Sequence, residues 1–499
     1  MKIKILNKPI LDFDGDILIV GLFEGLKRPQ QAAAALDKPL QGIITEMLSN
    51  KEFTGKLGET TVLHTFEKVP TKRIMVLGLG KKEKFELDTI RKASAAAAKM
   101  VLKLKAKKVG TVIYGTGLKG INSPQASQTI IEGTLLGFYK FQVYKNKPED
   151  TEPDEFSLVE PNRGRIKAIE RSLNIGKILA ESQNIARDLT NEPANNLTPE
   201  KLFLRIKGYI KSLKLPHIIE LKALRKPELK KLGMGALLSV AQGSSNDPVF
   251  ITLRIKNSKK PLTALIGKTV TFDSGGISLK PAKGMETMKG DMAGGAVVLA
   301  TTLALARVGV KTNLLTILPA VENLPSRTAS RPGDIVQAMN NKTIEIISTD
   351  AEGRLTLADA ICYAQKSGAK YIVDIATLTG GCVITFGDLT AAVMGNDRRL
   401  INRLLGISKW TGEKFWELPL FDEYAKQIKS PVADIKNSGG RKAHTITAGM
   451  FLKEFIEKTR WLHIDVAGKE IAEQESFYTP KGGTGFGVRS LYQFISGLY

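Results

Sequence analysis

Two carboxylates and an arginine fall within the octet Ser348–Leu355, STDAEGRL, after the β-branched run Thr343 to Ile347. Asp350 and Glu352 are two positions apart, so an extended backbone would turn both acids to one side. Like charges that close repel, and a divalent cation is the usual means of holding them together. Gly353 permits a sharp turn, and Leu355 opens a segment of helical period, LTLADAICYA. An isolated D-x-E is more often a set of caps and turn residues. A second cluster upstream changes the balance: Lys268 and Asp273 in GKTVTFDSGG, Lys280 in SLKP, and Asp291 in MKGDMAGG. Jointly these residues make a candidate dinuclear metal site.

The elements that must position them can be read around the motifs. LTALIGKTVTFDSGG, Leu262 to Gly276, reads as strand followed by a glycine turn. Asp291 stands just ahead of a long, small-residue apolar helix, AGGAVVLATTLALARVG. Strand ends and a helix start are where open α/β sheets place their ligand crevices. The four histidines, His64, His217, His444 and His463, are far apart and form no HExxH pattern, so carboxylates must do the binding. Such oxygen-rich sites suit manganese, magnesium or zinc.

GKTVTFDSGG, SLKP, MKGDMAGG, STDAEGRL and DIATLTGG follow one another as in the leucyl (cytosol) aminopeptidases, the dinuclear metallo-exopeptidases that include leucine aminopeptidase. The chain resembles that family over about its last two-thirds, from ARDLTNEPANNLTPEKL at Ala186 to HIDVAG at His463 and TGFGVR at Thr484. The resemblance implies metal ligands Lys268, Asp273, Asp291, Asp350 and Glu352, with Asp273 and Glu352 shared between two ions. Lys268 and Asp291 would serve one ion and Asp350 the other. Lys280 and Arg354 match the two catalytic positions. Met288, Thr377 and Gly380 match positions lining the pocket for the first substrate side chain. Two divalent ions per subunit, Mn²⁺ or Zn²⁺, and a bicarbonate at Arg354 are the implied cofactors. The implied fold is α/β in two domains, a smaller N-terminal macro-like domain and a larger catalytic one with a central mixed sheet flanked by helices. Peptide substrates and a homohexamer built as a dimer of trimers complete the expectation. Two departures stand out: Ser348 where the family has asparagine, and His444 where glycine is expected.

The residue types suit that chemistry. A lysine coordinates only as the neutral amine, well below its free pKa of about 10.4, and burial beside dications drives it there. A water between two ions roughly 3.5 Å apart loses a proton near neutral pH and becomes a nucleophile. A charged Lys280 would stabilise the oxyanion.

Composition agrees with an ordinary globular enzyme. The chain has 499 residues, 42% hydrophobic and 6% aromatic, too long for one core. Two cysteines, Cys362 and Cys382, make no disulfide framework and point to a reducing compartment. Asp12, Asp14 and Asp16 interrupt MKIKILNKPI before an adequate apolar core, so no export signal is read and a cytoplasmic location is expected. The apolar stretch from Ala293 to Val310 is too short to span a membrane and reads as a core helix. A net charge of +23 attracts nucleic acid non-specifically. The lysines are scattered, however, and KLKAKK at Lys103 to Lys108 lacks interleaved aromatics. A DNA-binding architectural protein would leave the five ligand positions unexplained. A dinuclear phosphohydrolase would lean on histidines that are missing.

Residues 1–160 alternate strands (GDILIVGLF, RIMVLGLG, KVGTVIYG) and helices (DTIRKASAAAAKMVLKL, SPQASQTIIEGTLLGFYKF), the second helix capped by Ser123. NKPEDTEPDEF, Asn146 to Phe156, reads as a linker. A helix over 161–190 then leads to a catalytic domain at 191–499. GTGLKG at Gly115, Gly117 and Gly120 imitates a dinucleotide motif, but no helix begins within its glycines, so it reads as a loop.

Overall fold

The computed structural model describes residues 1–147 and 152–498. Residues 148–151 of the expected linker lie outside the described residues. The chain divides into two compact units, the first comprising Met1–Glu181 with Trp410–Gly412 and Gln474–Pro480, the second the remainder. The 26-residue helix Ile166–Asn191 contributes residues to both.

The first unit is built on a six-stranded sheet. Its strands Lys2–Leu6, Glu155–Val159, Lys108–Val112, Ile17–Leu22 and Arg73–Gly78 lie parallel in that spatial order, and Thr60–His64 closes one edge antiparallel. Continuous apolar runs such as ILIVGL fit strands covered on both faces. Helices Leu87–Lys103 and Ser123–Phe138 cover one face. The second is capped by Asn122, whose side chain accepts from the Gln125 amide, and not by Ser123; an asparagine carbonyl reaches this amide as well as a serine would. Gly115, Gly117 and Gly120 lie in a loop with left-handed backbone, ahead of that cap.

The second unit carries a nine-stranded mixed sheet. Its central strands Tyr371–Ala376, Thr263–Gly267 and Asn313–Asn323 run parallel. Arg460–Asp465 continues the sheet parallel to Tyr371–Ala376, and Val249–Lys256 lies antiparallel on the other side. The expected single strand from Leu262 is two. Thr263–Gly267 pairs with the first half of Asn313–Asn323, and Thr269–Asp273 pairs with its end. Lys268 sits at the break, its amide donating to the Ile375 carbonyl (3.0 Å) and its own carbonyl accepting from Gly295 (2.7 Å). Helix Ala293–Val308 reaches the strands this closely because a Cβ on Gly294 would lie 2.3 Å from the Ile375 carbonyl oxygen. Helix Ala293–Val308 is buried without interruption from Ala293 to Ala306, as a core helix must be. On the opposite face, helices Gly235–Ala241, Gly353–Lys366 and His444–Lys453 share one core with the strands.

Candidate metal centre

Lys268, Asp273, Asp291, Glu352 and Arg354 lie at the ends of strands and helices, while Asp350 and Lys280 come from the connections between them. Asp273 ends its strand, and Asp291 follows the helical turn Met285–Gly290. Asp350 and Glu352 do not lie on an extended strand. The strand stops at Glu345, Asp350 falls in a turn, and Glu352 is already helical at φ −76°, ψ −39°. The helix begins at Gly353, two residues before the sequence pattern suggests. Gly353 is needed for space: a Cβ there would lie 2.5 Å from Lys268 Cε and 2.7 Å from Nζ.

Ligand oxygens of Asp273, Asp350 and Glu352 lie within 4.8 Å of one another. Lys268 Nζ stands 2.8 Å from Asp291 Oδ1 and 2.6 Å from Glu352 Oε1, and donates to the Thr377 carbonyl at 2.8 Å. Lys280 Nζ joins Asp273 Oδ2 at 2.8 Å and also contacts Asp350 Oδ1. Asp273 Oδ1 accepts from the Gly275 amide (2.9 Å) and Asn323 Nδ2 (2.8 Å).

Burial pushes the carboxyls of Asp273 and Asp291 above the usual range, with Glu352 adding to both against the pull of the lysines. Asp350 is raised by burial too, Lys280 opposing. Burial works against the charge on Lys268, but Asp291 and Glu352 hold its amine well above the ordinary lysine value. Lys280 is raised by Asp273, Glu352 and Asp350 over the same opposition. Four carboxylates against two ammonium groups leave an excess of negative charge that further cations would neutralise. Among the described residues, Asp291 Oδ2 is buried without a hydrogen-bond partner. Oxygen donors, one amine and an orphaned carboxylate oxygen fit divalent metal ions.

Arg354 is 1% exposed and donates to the Asn437 carbonyl at 2.7 Å; among the described residues it makes no ion pair with either acid of its own octet. Burial lowers its pKa to about 10, and its Nε is buried and unpartnered. Thr377 holds the ligands as well as lying beside them, since its hydroxyl donates to Asp291 Oδ1 at 2.6 Å. Met288 is half-buried, and its carbonyl closes the turn onto the Asp291 amide. Gly380 is exposed, with open space where a Cβ would stand.

Sequence reasoning missed Asn323 and Asn437. Besides binding Asp273, Asn323 Nδ2 donates to the Thr349 carbonyl (3.0 Å). Asn437, fully buried, accepts from the Ile347 amide at 2.8 Å and donates to the Ser348 carbonyl at 2.7 Å. It does for the octet what a neighbouring strand would have done. In sequence it is only an asparagine before a glycine pair, which signals a turn and nothing more. Ser348 Oγ accepts from the Asp350 amide (3.3 Å), and half-buried His444 opens its helix. Burial and the Arg354 charge lower the His444 pKa.

Comparison with known proteins matches residues 184–492 to the catalytic domain of the cytosol aminopeptidase family and residues 19–148 to that family's N-terminal domain. A probable cytosol aminopeptidase of Alkaliphilus metalliredigens (strain QYMF) is 40% identical over the full length of both chains. One from Solibacter usitatus (strain Ellin6076) is 42% identical over 98% of each. A solved mutant of tomato leucine aminopeptidase superposes with a TM-score of 0.88 at 31% identity, covering 99% of this chain and 96% of that one. The bottromycin maturation enzyme BotP in complex with Mn gives 0.85 at 30% identity, covering 97% and 99%. With both of its units matched, this chain belongs to the cytosol aminopeptidase family and is a metal-dependent aminopeptidase.

Proposed function

We propose that the chain removes N-terminal residues, leucine and other apolar ones by preference, from peptides at a dinuclear metal centre held by Lys268, Asp273, Asp291, Asp350 and Glu352. The observation that carries this reading is the convergence of four carboxylates with only two lysines to balance them. Divalent cations bound there, Mn²⁺ or Zn²⁺, supply Lewis acidity toward the scissile carbonyl and lower the pKa of water. Lys268 would hold a cation only as the neutral amine, giving up the proton that Asp291 and Glu352 stabilise on it, while an N–H stays on the Thr377 carbonyl. Lys280 stays charged and stabilises the carbonyl oxygen as it gains charge, an effect worth about 3 kcal/mol. Arg354, whose Nε is buried without a hydrogen-bond partner, would hold an anion such as bicarbonate, which would supply a proton carrier beside the substrate. Met288, Thr377 and Gly380 line the pocket for the first side chain. A cytoplasmic homohexamer is carried over from the family, and sedimentation of the purified protein tests it.

Protein loaded with Mn²⁺ should hydrolyse leucine p-nitroanilide, ignore its N-acetylated form, and lose activity to chelator. Asp350→Ala should abolish turnover with the fold intact. Phosphate release from a generic ester without amide cleavage would overturn the reading in favour of a phosphohydrolase.

A further inference from the structure

We propose that Asp465 is a positioning residue for the metal centre, acting through Thr379 and the backbone of Leu378 to fix the Thr377 carbonyl and hydroxyl on Lys268 and Asp291. The inference rests on the metal-centre reading above and adds a residue that touches no ligand.

Asp465 ends the strand Arg460–Asp465 and pairs in register with Ala376, the last residue of its parallel neighbour. A side chain there faces the turn that the neighbouring strand enters next. Asp465 is fully buried. Its Oδ1 accepts from the amides of Leu378 (3.0 Å) and Ala467 (3.1 Å). Its Oδ2 accepts from the Thr379 hydroxyl at 2.7 Å. Thr379 Oγ1 in turn receives the Cys382 amide at 3.1 Å and lies 2.8 Å from Thr445 Oγ1. The turn is thus tied to the start of helix Gly380–Phe386 and to helix His444–Lys453. The residue held at the front of this turn is Thr377. Its carbonyl accepts an N–H of Lys268, and its hydroxyl donates to Asp291 Oδ1.

The other carboxylate on this strand pair is already committed. Asp374 binds Trp461 Nε1 (2.6 Å) and His463 Nδ1 (2.5 Å) deeper in the sheet. Asp465 alone of the two reaches the turn. A carboxylate can take three donors at once, whereas a carboxamide would present an N–H₂ to the Thr379 hydroxyl. A partner in direct contact with metal ligands, as Thr377 is, commonly sets metal affinity by roughly 10–100-fold; Asp465 and Thr379 stand one step further out, at the lower end of that range.

The test is Mn²⁺ titration of metal-free protein by calorimetry, with thermal melting of the same samples. Asp465→Asn and Thr379→Val should each weaken one of the two Mn²⁺ sites by about tenfold, leave the other within about twofold, and melt cooperatively. Thr379→Ser should restore the affinity that Thr379→Val loses. Should Asp465→Asn fail to fold, the Thr379 pair decides alone. Unchanged affinity at both sites in folded variants overturns the proposal, as does equal loss at both sites. Absence of any Mn²⁺ binding by the wild-type chain would instead sink the metal-centre reading beneath it.

Discussion

Each unit buries a cluster of charge, and the two clusters use the same kinds of residue to opposite ends. In the first unit Arg91 bridges Asp88 (2.9 Å) and Glu132 (2.8 Å), while Lys92 and the Tyr478 hydroxyl take up the rest of Asp88 at 2.8 Å each. Arg91 also donates to the Thr411 carbonyl, which holds the excursion Trp410–Gly412 against this unit. Two acids meet two bases there. Burial opposes the charge on Asp88, yet Arg91 and Lys92 prevail and lower its pKa to about 2. At the candidate metal centre four acids meet two lysines, and burial raises Asp273, Asp291 and Asp350 instead. Burial alone therefore marks neither a structural cluster nor a ligand site. Charge balance separates them: a balanced set closes on itself, and an unbalanced set awaits cations.

The comparison can be broken most sharply from the ligand side. Glu352→Gln should cut turnover of leucine p-nitroanilide by about a thousandfold while leaving the melting temperature of metal-free protein unchanged or higher. In the balanced cluster, Arg91→Ala should cost about 3–5 kcal/mol by stranding two buried acids. Urea unfolding measures this, and a loss below about 1 kcal/mol would mean that the cluster is not a closed structural set.

Gly353→Ala adds no charge and tests space alone. Its Cβ would displace the end of Lys268, so metal content should drop to one ion per chain with activity down at least about tenfold. Two full equivalents by elemental analysis would refute the steric role.

pH gives a smaller contrast. Asp88 is depressed from 3.8 to about 2 in the folded chain. Its contribution is therefore fully present above pH 3.8 and is lost as pH falls through about 2, worth about 2 kcal/mol. The difference in unfolding free energy between wild type and Asp88→Asn should shrink by that amount between pH 5 and pH 2. The smallest effect belongs to Asp291→Asn in metal-free protein. Removing one of four buried acids that share only two lysines should raise melting by roughly 2 °C, the opposite sign to the loss at Arg91→Ala.

How much of this was legible in the chain depends on distance along it. Helices Leu87–Lys103 and Ala293–Val308 could be read from local pattern, because each side chain's environment recurs every turn. The break at Lys268 could not: TALIG and TVTFD both read as strand, and they are told apart by pairing, since Thr263–Gly267 lies between Tyr371–Ala376 and Asn313–Asn323 whereas Thr269–Asp273 pairs with the end of Asn313–Asn323. The octet was recognised and its backbone misjudged. An extended arrangement needs a neighbouring strand beyond Glu345, and the molecule supplies the side chain of Asn437 instead.

By itself the sequence determined which residues carry charge, how closely along the chain acids and lysines recur, and which stretches must be buried, because these follow from residue type and short-range periodicity. The tertiary structure decided which acids face one another, that Arg354 turns to Asn437 and not to its own octet, and that Asp465 holds the turn beside Lys268. Those outcomes hang on contacts between residues as much as 109 positions apart, as Lys268 and Thr377 are, and no local preference encodes a partner at that range.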